Sequence, residues 1–228
     1  MIWLLLACTP EKEDSAVEME KVSINGSVRD LFTQNPISAV DICLQSEVEN
    51  CTQSTDDGDF ILEGIPAVSN VSLSLQHEEY YGGLISFHSE TQSLAPVDLG
   101  SQGIISSQFG LMGIEQQPNT GIIVFSISNG IAGDGINVEG VLVRINSGDG
   151  PFYTNTTGLP STSITETSTH GGGVIVNLQP GEHEIIFENL PQDCSVLLGW
   201  GDVSAVQSLV MADHVSYVRL ACLSEDVD

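Results

Sequence analysis

The sequence predicts an all-β chain of two β-sandwich domains in tandem, and three observations predict it. From Val22 onward, short β-branched runs such as "VSINGSVRD", "AVDICLQS", "DFILEGI" and "NVSLSLQ" alternate with Gly, Pro, Asn and Asp, the rhythm of strands and turns in a sandwich. Within these runs apolar residues recur two apart, the period that places them on one face of a strand; helical periodicity is weak and confined to "SSQFGLMGIEQQ". The third observation is that the pattern occurs twice. Ser54 to Leu75 aligns without a gap onto Ser168 to Asn189 at an offset of 114, with Thr55 on Thr169, Gly58 on Gly172, Phe60 on Val174, Leu62 on Val176, Pro66 on Pro180, and Val71 and Leu73 on Ile185 and Phe187. A shared offset of that length reads as a duplicated module.

In chain order, the opening "MIWLLLACTPEKEDSA" comes first. Ile2 to Ala7 is an apolar run of six, and a membrane-spanning helix needs about 20 such residues. Leu5, Leu6, Ala7 and Cys8 resemble the lipobox of bacterial lipoproteins, which implies cleavage before Cys8, acylation of its sulfur and, with Thr9 following, sorting to the outer membrane. A usual signal has a basic leader and a longer apolar core, so either the start codon lies further upstream or the match is chance. Residues 8–21 are polar and aperiodic, as a tether is. The first sandwich then occupies 22–100, a linker 101–119, the second sandwich 120–223, and an acidic tail 224–228. Ile104 to Ile114 reads as a short helix or turn between the modules. In the shared motif, Gly58 and Gly172 are expected at positive φ in a turn, and Phe60, Leu62, Val174 and Val176 are expected to face cores.

Five cysteines are an odd number, and Cys8 is the natural odd one out. Cys43 and Cys51 flank "LQSEVEN", a hairpin tip; Cys194 and Cys222 bracket the last segment. Each pair reads as a disulfide within its own module, in an oxidising compartment; free thiols or metal ligands are the alternative, and the spread over two modules suits zinc poorly.

The pattern "PISAVDICLQ…CTQSTDDGDFILEGIP" resembles the carboxypeptidase regulatory-like domain, a prealbumin (transthyretin)-like sandwich, through Pro36, Ile37, Ala39, Val40, Thr55, Asp56, Gly58, Phe60, Leu62 and Pro66. The second half is similar to C-terminal modules of envelope proteins of delta-proteobacteria and relatives, through Tyr153, Asn177, Pro180, Gly181, Trp200, Cys194 and Cys222; it departs at His170, where Asp is usual. The resemblance covers residues 22–222 and implies two prealbumin-like (Ig-like) sandwiches; it is nearly silent on function.

The net charge of −26, with only 5 Lys and Arg, repels phosphate backbones and anionic headgroups. Nucleic acid is therefore not an expected partner, and membrane attachment is expected through the lipid anchor. No hydrolase, zinc-protease or nucleotide-binding motif occurs, so no catalytic residue and no cofactor are expected. Glu182 and Glu184 flank His183 on one strand face, which reads as a solvated face. Asp56, Asp57 and Asp59 cluster enough oxygens to be calcium candidates, but "DDGD" lacks the alternating carboxylates and distal Glu of an EF-hand and reads as turn chemistry. Tyr80, Tyr81, Phe152 and Tyr153 are the candidate binding aromatics, in loops or strand ends. Trp200, near Cys194, is expected in core packing beside a disulfide. The expected function is a non-enzymatic envelope lipoprotein that binds a protein or a polysaccharide, the alternatives being an accessory subunit of an envelope peptidase or secretion complex, or a hydrolase.

Overall fold

The computed structural model describes residues 20–90, 93–130 and 135–223. The signal reading of 1–7, the lipidation of Cys8, almost all of the tether and the tail 224–228 lie outside the described residues. Strand accounts for 53% of the chain and helix for 6%, which makes the class all-β, as expected.

Seven strands build the first half: β1 (Lys21–Asp30), β2 (Asp41–Leu44), β3 (Cys51–Gln53), β4 (Asp59–Pro66), β5 (Asn70–Gln76), β6 (Gly82–His88) and β7 (Val97–Leu99). A helix, α1 (Gln102–Met112), follows. The second half holds β8 (Gly121–Asn129), β9 (Leu142–Arg144), β10 (Asp149–Tyr153), β11 (Gly172–Leu178), β12 (Gly181–Glu188), β13 (Cys194–Leu198), β14 (Trp200–Asp202), β15 (Ala205–Val210) and β16 (His214–Cys222).

In the first half the sheet β4-β1-β7 faces β3-β2-β5-β6, and Ile24, Val28, Phe60, Leu62, Leu73 and Phe87 fill the space between. In the second, β11-β8-β16 faces β9-β12-β15-β14 over Ile123, Phe125, Ile175, Ile185, Phe187 and Leu220. The sheet β4-β1-β7 matches β11-β8-β16, with β7 running parallel to β1 as β16 runs parallel to β8, whereas β3 extends its sheet beside β2 and β10 lies instead beside β11.

The hydrogen bonds refine the repeat. Val28 N–H donates to Gly58 O and Ile127 N–H to Gly171 O, so Gly58 (φ 77°) corresponds to Gly171 (φ 58°), one residue before Gly172. Gly171 is held to glycine: a Cβ there would stand 2.3 Å from Ile127 O. Gly172 already belongs to the strand. The offset is therefore 113 through this turn and along the strand: Leu62↔Ile24 and Ile65↔Val22 in the first half answer to Ile175↔Ile123 and Leu178↔Gly121 in the second, so both ladders carry the same irregularity. A one-residue slip turns every side chain to the other face. Ile175 and Leu178 thus fill the sandwich, while Val174 and Val176 point away from it.

The aligned aromatic has also changed strands. Gly26 on β1 lies opposite Phe60 on β4, and a Cβ at Gly26 would come within 2.7 Å of the Phe60 ring. In the second half Phe125 on β8 lies opposite Gly173 on β11, with the corresponding distance 2.4 Å. Each half stacks one phenyl ring over one glycine, with the pair inverted.

Val174 and Val176 are covered by α1. Ser101 caps its start by accepting from Ile104 N–H at 3.4 Å, and Gly113 in the left-handed region (φ 67°) ends it. Ile105, Phe109 and Met112 recur along one stripe and meet Ile122, Val174, Val176 and Val215. This explains why every residue of β11 is buried: the strand has a core on both faces.

One buried hydroxyl holds the same corner of both sandwiches. Ser54 Oγ accepts from Val40 N–H (3.0 Å) and donates to Ile37 O (2.8 Å); Thr167 Oγ1 accepts from Val141 N–H (2.9 Å) and donates to Val138 O (2.8 Å). Thr167→Val keeps the shape and orphans two buried backbone groups, a loss expected to cost about 1–3 kcal/mol. Urea denaturation of Thr167→Val and Ser54→Ala checks this; a change under about 0.5 kcal/mol would refute it.

The halves join through β16. One edge of β16 pairs with β8 along its length, Val215↔Ile122 to Cys222↔Asn129. The other edge is shared: its first part runs parallel to β6, His214↔Gly82 to Tyr217↔Ile85, and its last part runs antiparallel to β13, Cys194↔Cys222 to Leu198↔Arg219. One sheet, β10-β11-β8-β16-β6-β5-β2-β3, therefore crosses both halves. Glycine at position 82 allows the close passage, since a Cβ there would lie 2.6 Å from the His214 ring. The Tyr217 hydroxyl donates to Asp98 O on β7, so the last strand also hydrogen-bonds into the first sandwich.

Candidate functional site

Beyond the fork, β13 leaves the sheet and turns sharply into β14. Gly199 makes that turn at φ 102°, with its N–H donating to Ser86 O on β6 at 2.5 Å, and Gly201 follows at φ 97°. This backbone sets Trp200 at the seam between the halves, only partly buried. Two open clefts meet there, about 560 Å³ and 330 Å³, and both are lined by Trp200 and Asn70. The larger is completed by His88 at the end of β6 and by the β14–β15 turn with Asp202. The smaller is completed by Gln45 and Ser72 from the first half and Glu182 from the second. Together they form one groove, built by both sandwiches, with an indole at its centre, amide and hydroxyl groups along it, and a carboxylate in each lobe. Asp202 and Glu182 are exposed, and neither lining contains Lys or Arg.

A further cleft of about 410 Å³ lies at the opposite end of the β6–β16 pairing and gathers Asp41, His77, Glu78, Tyr80, Asp213 and His214. His214 Nδ1 donates to Ala212 O at 2.7 Å, and its Nε2 lies 3.4 Å from the Gln76 amide. His77 Nδ1 accepts from Glu79 N–H at 3.2 Å. Neither imidazole is hydrogen-bonded to a carboxylate among the described residues. Among the described residues no His, Cys, Asp and Glu side chains group as a metal ion would need.

The four candidate aromatics divide. Tyr81 (4% exposed) and Tyr153 (3%) are interior side chains, which corrects their reading as binding residues: Tyr81 packs beneath α1 and Tyr153 in the second core, its hydroxyl accepting from Val143 N–H at 2.8 Å. Tyr80, half-exposed, packs edge-on against His77, and Phe152 is partly covered by the helix cluster. The structure does not bring the four together. Asp56, Asp57 and Asp59 are exposed around the Gly58 turn, closed by Thr55 N–H to Asp59 O at 2.8 Å. His183 donates to or accepts from Ser147 Oγ at 3.1 Å and lies 2.8 Å from Gln179 O, away from the groove. The disulfides Cys43–Cys51 and Cys194–Cys222 are formed within their own halves. Trp200 lines a surface groove, where core packing was expected. The signal that could have placed it there was "GWG": glycines on both sides of a tryptophan at a strand break lift the ring toward an edge.

Burial, reinforced by the charge of Asp213, pushes the Tyr81 phenol up from 10.0 to about 12, against the hydrogen bond from Gln116 that lowers it. Burial raises Tyr153 and Tyr217 as well. The folded state thus favours the neutral phenol, and the associated stability is complete below pH 10 and is lost as pH rises from 10.0 toward about 12. The slope approaches about 1.4 kcal/mol per pH unit. Tyr81→Phe is expected to flatten the fall of Tm above pH 10 relative to the native chain; identical Tm–pH curves would refute the assignment.

No family model matches the chain, and no curated protein matches it. Among solved structures it is similar to the minor pilin GBS52 of Streptococcus agalactiae (10% identity, 90% of this chain and 98% of that one, TM-score 0.30) and to the shaft pilin SpaA of Lactobacillus rhamnosus GG (10% identity, 90% and 98%, TM-score 0.27). It also matches the Bacillus anthracis TIE protein (10% identity, TM-score 0.27) and a streptococcal ancillary pilin (11%, 0.28), spanning 34% and 62% of their respective lengths. Scores this low carry no argument about function. The chain's own topology defines its class: an all-β protein of two like sandwiches fused through one sheet, with a groove at the seam.

Proposed function

We propose that this chain is a non-enzymatic binding and structural module of the cell envelope and that its ligand site is the Trp200 groove, with a glycan as ligand. The observation that carries this reading is the composition of the groove: a half-covered indole flanked by amide and hydroxyl groups, open along its length and drawn from both sandwiches. An aromatic face accepts the C–H face of a pyranose ring, and polar neighbours take its hydroxyls. The lipobox at Cys8 supports placement at the envelope, and the two disulfides fit an oxidising compartment. The resemblance to regulatory-like sandwiches is compatible with such a module.

The test is calorimetric titration of a panel of oligosaccharides into the native chain and into Trp200→Ala. The expected result is binding that weakens by at least about tenfold in the variant, as for an aromatic anchor. Binding equal in both proteins would overturn the groove as the site.

A further inference from the structure

We infer that the groove selects glycans bearing free ammonium groups; this rests on the reading of the groove as a glycan site and names the chemistry of its ligand. Each lobe carries an exposed carboxylate, Asp202 in one and Glu182 in the other, and Trp200 stands between them. Among the described residues neither carboxylate is ion-paired: the salt bridges join His88 with Glu90 and Arg144 with Glu188. The indole face attracts a cation through its quadrupole as well as stacking on a ring, so centre and flanks favour the same charge. The field of the whole molecule acts in the same direction, since a net charge of −26 concentrates cations at the surface and repels uronic, sulfated or phosphorylated polymers. The spacing of two separate lobes about one aromatic suits a chain of residues better than a single sugar. A de-N-acetylated amino-sugar oligomer supplies ring faces for Trp200, hydroxyls for Asn70 and Gln45, and ammonium groups for Glu182 and Asp202. His88 also lines the larger lobe, and Glu90 is its neighbouring carboxylate at 3.8 Å.

The experiment uses the full chain and three probes at mildly acidic pH: a glucosamine hexamer with free amines, its fully N-acetylated counterpart, and an oligogalacturonate. Each is titrated into the native protein, into Glu182→Gln/Asp202→Asn, and into Trp200→Ala. The carboxamide substitutions are at exposed positions and leave the fold intact. The expected result is that the free-amine hexamer binds about tenfold more tightly than the acetylated one, that this preference vanishes in the carboxamide variant and at high salt, and that the oligogalacturonate does not bind. Equal affinity for the free and acetylated hexamers, or a preference that survives the carboxamide variant, would overturn the charge selection while leaving the glycan groove standing. Free-amine binding undiminished in Trp200→Ala would reduce it to general attraction by an acidic surface and overturn the inference. Failure of all three probes to bind the native protein would overturn the glycan reading itself.

Discussion

Tyr217→Pro is expected to unfold both halves of the protein together. Tyr217 pairs with Ile85 of β6 on one side and with Val124 of β8 on the other, in the strand common to the two sandwiches. Proline removes the N–H from that strand and cannot sit in the interior of a sheet without a cost of about 3 kcal/mol or more. The same substitution deletes the hydroxyl that donates to Asp98 O and the ring that packs against the first core and the helix cluster. Tyr217→Phe separates these contributions, and is expected to cost only the single hydrogen bond, about 0.5–1.5 kcal/mol. The measurement is denaturant unfolding followed by amide exchange in β12 for the second half and in β5 for the first. The native chain should show one coincident transition, and Tyr217→Pro should lose protection in both places. Native protection of β5 in that variant would mean that the shared sheet does not couple the halves.

Removing the disulfides should rank in the order of the loops they close. Cys43 and Cys51 are separated by 8 residues and Cys194 and Cys222 by 28. By loop-closure entropy, the first contributes about 2.5 kcal/mol and the second about 3.6 kcal/mol. The structure widens this difference. Cys222 is fully buried in the second core and ends the strand that joins the halves, whereas Cys51 is exposed on a short edge strand. Cys194→Ala/Cys222→Ala is therefore expected to lower Tm further than Cys43→Ala/Cys51→Ala, and to loosen β13 from β16. Equal losses would show that the long loop is already restrained in the unfolded chain.

The period of two in "DFILEGI" and "NVSLSLQ" identified β4 and β5, because each has one face in the first core. The same rule placed Val174 and Val176 of "GVIVNL" in a core, and the core they meet is the one under α1, not the sandwich interior. A strand buried on both faces shows no alternation, so nothing local says which of Val174 and Ile175 meets the sandwich. The gapless offset of 114 concealed a one-residue shift that is present at Gly171 and runs along β11 to Leu178. It also set Phe60 against Val174, although the ring that plays its part is Phe125, contributed by the other strand.

The candidate site was less legible. Phe152 and Tyr153 are neighbours in β10 and so point to opposite faces, and Tyr81, just before β6, turns inward under α1 while Tyr80 stays half-exposed. The groove draws Asn70 and His88 from the first half and Trp200 and Asp202 from the second, more than 100 positions apart.

The sequence by itself determined the all-β class, the duplication, the pairing of Cys43 with Cys51 and Cys194 with Cys222, and the acidic surface. Each of these follows from local period, turn chemistry, cysteine position or charge, which a chain carries whatever its neighbours are. Only the tertiary structure decided that β16 would serve both sandwiches, that α1 would cover β11, and that Trp200 would stand at a seam. Those outcomes depend on which sheet edges meet, and edge pairing is made by backbone N–H and C=O groups that every residue but proline has in common.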